Sequence, residues 1–190
     1  MRPWQVGVII CAVSFSGLFY LWTRYETFLK SGSRPPQGTL ILNEMEKSGV
    51  PNIKGTDIDG NPVDLSLLHD KVVIVNFWAS WCKPCLEEFP SMLSLLEQMS
   101  SSVVILAISH DYNMDDLRSF LATFKAEKKA NFIVLWDKDK SIANSYGTKV
   151  LPESFIVGKG GVLIRKVTGV ENWASAEAVQ FFKDLSVGKY

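Results

Sequence analysis

Residues 72–85, Val-Val-Ile-Val-Asn-Phe-Trp-Ala-Ser-Trp-Cys-Lys-Pro-Cys, constrain this chain more than any other stretch. The β-branched and apolar run from Val72 to Trp78 reads as a buried strand. It breaks over Ala79-Ser80-Trp81, and two cysteines follow with two residues between them. Leu86, Phe89, Leu93 and Leu96 then recur at helical spacing. Cys82 therefore sits where a helix begins, and Cys85 lies inside its first turn.

That placement has chemical consequences. The first N–H groups of a helix lack intrahelical partners, and the macrodipole adds partial positive charge there. Both favour a thiolate at Cys82. Free cysteine titrates near ~8.5, and a helix N-terminus in a Cys-x-x-Cys motif lowers this to roughly 3.5–7.5. Lys83 adds a formal positive charge next door. Pro84 suits the first turn, where its missing N–H costs no hydrogen bond. Cys85 is then placed to attack a mixed disulfide formed at Cys82.

The segment Asn76-Phe77-Trp78-Ala79-Ser80-Trp81-Cys82-Lys83-Pro84-Cys85 resembles the active-site stretch of the thioredoxin superfamily. Within it the chain is most similar to the membrane-anchored TlpA/ResA-type thiol-disulfide oxidoreductases, from about Val50 to the C-terminus. Thioredoxins carry a buried Asp where this chain has Asn76, and the TlpA/ResA group has Asn. That group also has a Cys-x-x-Glu-Phe-Pro pattern, matched here by Cys85-Leu86-Glu87-Glu88-Phe89-Pro90. The resemblance implies an α/β thioredoxin-like fold: a central mixed sheet flanked by helices, with an N-terminal β-hairpin, preceded by one transmembrane helix. It places a cis proline at Pro152, packed against the cysteines. The Leu151 backbone beside it is left free to pair with an incoming peptide. It implies disulfide-containing protein substrates, such as apocytochrome c or copper-site proteins, a membrane thiol-electron donor, and a domain on the periplasmic or extracytoplasmic side of the cytoplasmic membrane. No cofactor or metal is expected.

Glu88 is expected to replace the missing buried acid. A resolving thiol needs a group to take its proton as it attacks. Asn76 shares a strand face with Ile74 and Trp78, and an amide cannot accept a proton at neutral pH. Glu88 lies three residues after Cys85 on the same helical face, whereas Glu87 faces elsewhere. Partial desolvation beside Phe89 would raise the carboxyl pKa toward a useful value. The competing reading is an exposed helix glutamate.

A chain of 190 residues suggests one globular domain plus extras. The formal net charge of zero gives no basis for nucleic-acid binding. Of the three cysteines, Cys11 lies in an apolar segment, so the domain has no disulfide scaffold. Residues 1–3 are a short flank. Residues 4–22 carry no charge and are long enough to span a bilayer, with Trp4, Tyr20, Trp22 and Tyr25 at the two ends. A single-pass anchor is the expectation, with a cleaved signal peptide as its alternative. Residues 23–49 form a linker, in which Leu40 to Met45 is a short strand, a turn of helix or plain spacer. Residues 50–190 are the thioredoxin-like domain.

Within that domain, Asp59-Gly60-Asn61-Pro62 marks a hairpin turn. Residues 64–68 form a short helical turn. Pro90 is expected to kink the helix over 82–100. Strands follow over 103–109, 131–136 and 162–168, and helices over 114–125, 141–146 and 173–185. The last of these helices is read as packing only. His69 and His110 are read as loop histidines, with a place near the cysteines as the alternative for His110. A copper-binding module on the same fold is the alternative function. Copper carriers of related fold use Cys-x-x-x-Cys and a distant His, and the spacing here is one residue shorter. A peroxiredoxin-type peroxidase would need a Pro-x-x-x-Thr/Ser-x-x-Cys pattern, which this sequence lacks.

Overall fold

The computed structural model describes residues 17–26, 37–126, 129 and 131–189. It separates into two compact units, Met1–Pro36 and Gln37–Tyr190. In the first unit, residues 17–26 form helix α1, with Leu18, Phe19, Leu21 and Trp22 exposed. Among the described residues, no helix is long and apolar enough to cross a membrane. Most of the expected span over 4–22, and residues 27–36 of the expected linker, lie outside the described residues.

The second unit begins with helix α2 (Gln37–Ser48), not at residue 50 as expected. Of the three readings left open for Leu40 to Met45, the helix is the one observed. It belongs to the domain because Met45 is buried in a core with Ile53, Val73 and Tyr146. The helix ends at Gly49, where φ is +84° and the N–H donates to the Met45 carbonyl (3.0 Å). A Cβ there would lie 2.9 Å from the Gly161 carbonyl oxygen, so the turn requires glycine.

The expected hairpin is formed by β1 (Lys54–Thr56) and β2 (Pro62–Asp64), paired antiparallel. Asp57 closes its turn by accepting from the N–H groups of Asp59 and Asn61. A 3₁₀ turn over Leu65–Leu68 follows, capped by the Asp64 side chain.

The main sheet contains β3 (Val72–Trp78), β4 (Val103–Ser109), β5 (Phe132–Trp136), β6 (Glu153–Val157) and β7 (Leu163–Thr168). Its spatial order is β5-β4-β3-β6-β7. β3, β4 and β5 run parallel, while β6 and β7 add antiparallel pairs. Among the described residues, the remaining α-helices are α3 (Lys83–Gln98), α4 (Met114–Phe124), α5 (Ser141–Tyr146) and α6 (Ala176–Ser186). α3 continues through Pro90.

Period-two alternation along β3 explains how one strand serves two cores. Val72, Ile74 and Trp78 join the core built with α3, α4 and α6. Val73, Val75 and Phe77 join the opposite core with α2, α5 and the hairpin. Every residue of β3 and β4 is buried. β3 is the middle strand, so its C-terminal end, where the cysteines follow, rests on the best-supported part of the sheet.

Candidate active site

The site begins where β3 hands over to α3. Cys82 is the N-cap residue of α3, with extended backbone (φ −85°, ψ 100°), and its Sγ accepts from the Cys85 N–H at 3.3 Å. Its carbonyl starts the helical ladder, accepting from the N–H groups of Cys85 (3.0 Å) and Leu86 (3.3 Å). Lys83 and Pro84 fill the first turn and are exposed. Cys82 and Cys85 are joined by a disulfide. Cys82 retains 5% of its surface and Cys85 only 1%. Cys82 is thus the less buried of the pair.

The loop leading to Cys82 is held by Asp111, a residue with no sequence signal of its own. Its Oδ1 accepts from the Ser80 N–H (2.9 Å) and hydroxyl (2.6 Å), and its Oδ2 from the Ser109 hydroxyl (2.7 Å). Its own carbonyl accepts from the Trp136 indole (2.7 Å). Asp111 lies just past the end of β4, so the sheet fixes the approach to the cysteines. Trp81, half exposed, stacks on Tyr112 with ring centroids 5.7 Å apart.

Glu88 is buried, at 2% exposure, while Glu87 is exposed. Its Oε1 accepts from the Asn76 amide (3.1 Å). Its Oε2 accepts from the Trp173 indole N–H (3.2 Å) and the Glu171 backbone N–H (3.3 Å). Asn76 also donates to the Ser154 hydroxyl (2.9 Å). Burial is the main influence on this carboxyl and raises its pKa above the ordinary value. The donors from Trp173, Asn76 and Glu171 oppose that rise. Trp173 was expected to serve packing alone. It also supplies a buried donor to Glu88, because the segment before α6 folds back over α3.

Leu151-Pro152 is a cis peptide. The Pro152 carbonyl accepts from Gly169 (3.0 Å), and Leu151 and Cys82 line one cleft. That cleft is about 590 Å³ in volume and also takes in Trp81, Lys83, Pro84 and His110. His110, expected as a loop histidine, is 8% exposed, packs edge-on against Phe77, and has Nε2 3.8 Å from Asp137. His69 is exposed, as expected. Among the described residues, no group of three or more His, Cys, Asp and Glu side chains converges to hold a metal ion.

The geometry has known counterparts. The chain is 33% identical over 125 residues to the thiol-disulfide oxidoreductase ResA of Bacillus subtilis, covering 65% of this chain and 68% of that protein. It is 27% identical over 169 residues to the thioredoxin-like protein YneN of the same organism, covering 86% and 88%. The thioredoxin domain of a thiol-disulfide oxidoreductase from Bacteroides vulgatus superposes with a TM-score of 0.61 at 26% identity, covering 71% of this chain and 95% of that one. The AhpC/TSA family matches residues 47–166, a span that takes in both cysteines, Glu88 and the cis proline. The chain therefore belongs to the AhpC/TSA family, among thioredoxin-like thiol-disulfide oxidoreductases.

Proposed function

We propose that this protein reduces disulfides of partner proteins outside the cytoplasm, with Cys82 as nucleophile, Cys85 as resolving thiol and Glu88 as proton acceptor. The observation that carries this reading is the pairing of a more accessible Cys82 at the N-cap of α3 with a sealed Cys85 one turn from a buried carboxylate. The Cys82 thiolate attacks one sulfur of the partner disulfide and forms a mixed disulfide. The other partner sulfur leaves as a thiolate and is protonated. Cys85 then loses its proton to Glu88 and attacks the Cys82 sulfur, releasing the second partner thiolate. Two electrons pass to the partner, and Cys82–Cys85 becomes the disulfide.

Leu151 beside the cis proline lines the same cleft as Cys82, where its backbone is available to an extended partner segment. Residues 4–22 anchor the enzyme to the cytoplasmic membrane as a single span. Their uncharged apolar sequence and the exposed apolar side chains of α1 support this. In an oxidising compartment a reductant must be recharged, so a membrane thiol-electron donor returns electrons to the pair. Apocytochrome c haem-site cysteines or copper-site cysteines are the substrates this reading favours, as the resemblance of residues 76–90 to the TlpA/ResA group implies.

The decisive experiment is trapping. Cys85→Ser should accumulate a mixed disulfide with its partner, because the resolving thiol is gone, and Cys82→Ser should trap nothing. Capture by Cys82→Ser but not by Cys85→Ser would reverse the two roles.

A further inference from the structure

The cleft over Cys82 holds more charge than disulfide exchange requires. Lys83, Lys140 and Lys149 line it, and no Asp or Glu does. All three lysines are exposed, and none forms an ion pair with a described residue. Three carboxylates close in sequence to lining residues hold hydrogen bonds of their own, and Glu87, exposed and four residues after Lys83, does not line the cleft. Asp137 accepts from the Ile142 and Ala143 N–H groups at the start of α5, Asp139 from the Ser141 N–H, and Asp111 from Ser80.

A second observation is independent of the lysines. His110 Nε2 and Thr148 Oγ1 are buried without a hydrogen-bond partner, and both residues line this cleft at 8% and 7% exposure. Buried polar atoms are rarely left unpaired. Burial lowers the His110 pKa, Lys140 adding to the effect and Asp137 opposing it, so the ring is neutral near pH 7. His110 Nε2 faces Asp137, whose Oδ2 lies 3.8 Å away, which leaves the Thr148 hydroxyl as the unpaired polar group of the cleft wall. One unpaired hydroxyl and three cations, with no Asp or Glu in the cleft lining, call for an occupant rich in acceptors and negative charge.

We propose that this cleft selects partner disulfides flanked by carboxylates: a protein segment with Asp or Glu within a few residues of the cysteine that Cys82 attacks. This rests on the exchange reading above and adds to it the charge of the substrate. The lysines draw the segment in and pair with its carboxylates at the cleft over Cys82.

The test uses the reduced full-length chain and two peptides that share one Cys-Cys disulfide, one flanked by Asp and Glu and the other by Lys. Stopped-flow tryptophan fluorescence gives the second-order rates. In about 20 mM salt the acidic peptide should react at least about tenfold faster, and near 0.5 M salt the ratio should shrink several-fold as screening shortens to a few ångströms. Lys140→Gln with Lys149→Gln should cut the low-salt ratio to about a third, the scale of losing two exposed ion pairs. Lys140→Glu with Lys149→Glu should invert the preference. If that charge-reversed variant does not fold, the Gln variant and the salt series decide. Equal peptide rates at low salt, with uncharged 2-hydroxyethyl disulfide still reduced, would overturn the charge selection alone. No reduction of any of these disulfides would overturn the exchange reading itself. Oxidised glutathione reacting as fast as the acidic peptide would overturn the assignment to a protein segment.

Discussion

Glu88→Gln removes one ionisable group and almost no volume, so its effects can be worked from the hydrogen bonds. In the native protein three N–H donors converge on the carboxylate: Asn76 on Oε1, and Trp173 and Glu171 on Oε2. A glutamine carbonyl can keep the two donors at the Oε2 position. Its amide would face the Asn76 amide, donor against donor, unless Asn76 flips and presents its oxygen. The Ser154 hydroxyl, now an acceptor from Asn76, can then donate to that oxygen. The network closes again, so folding stability should change by less than about 1–2 kcal/mol, the scale of one buried hydrogen bond. The sign depends on pH. The native carboxyl has its pKa raised in the folded state, so its contribution is fully present below the unfolded value near ~4.3 and is lost as pH rises through the folded value. Glu88→Gln escapes that loss and should gain relative stability from about pH 4 upward, then plateau. Activity should move the other way. Removing a positioned proton acceptor costs roughly 10²-fold or more, and the loss should fall on resolution by Cys85 and not on the first attack by Cys82. Stopped-flow decay of the mixed disulfide between pH 5 and 9 measures it. The wild-type rate should climb through the raised Glu88 pKa, and that limb should vanish in the variant. Glu87→Gln, at an exposed position, is the control. Matching profiles for wild type and both variants would refute the role of Glu88 and leave it a buried structural acid.

Three further outcomes follow from the geometry. Asp111→Ala leaves Ser80 and Ser109 donors inside the protein without their acceptor and should cost about 3 kcal/mol by urea unfolding, whereas a loss under about 1 kcal/mol would show that Asp111 does not hold the loop before Cys82. Met45→Ala should cost about 2–4 kcal/mol, because α2 contributes a buried side chain to the domain core; no change in the unfolding midpoint would return α2 to the linker. If residues 4–22 are an uncleaved anchor, the protein should stay in membranes after a carbonate wash with its N-terminus intact, and a soluble form beginning near residue 17 to 24 would refute the anchor.

What the chain's residues determine locally was readable without the structure. The apolar run over β3, the break before Cys82 and the spacing of Leu86, Phe89, Leu93 and Leu96 set a strand, a turn and a helix, since each signal spans a few residues. The hairpin turn at Asp59-Gly60 and the place of Glu88 one helical turn beyond Cys85 are local in the same sense. α2 was harder to read. Its segment follows Ser-Gly-Ser-Arg-Pro-Pro, and its helical state depends on Met45 finding a pocket among residues from the hairpin, β3 and α5. Only the tertiary structure decided how the polar groups of the site are joined. Glu88 meets Trp173 across 85 positions, Asn76 meets Ser154 across 78, and Ser80 meets Asp111 across 31. No periodicity encodes such pairs. They form because a buried polar group must find a partner wherever the sheet and its covering helices bring one. The same packing buried the loop residue His110 in the wall of the cleft beside Cys82, the alternative place for it, and brought Lys140 and Lys149 to the cleft that Lys83 lines. A strand-to-helix junction is a property of neighbouring residues; the acid, the donors and the charge around it exist only once distant segments have closed over one another.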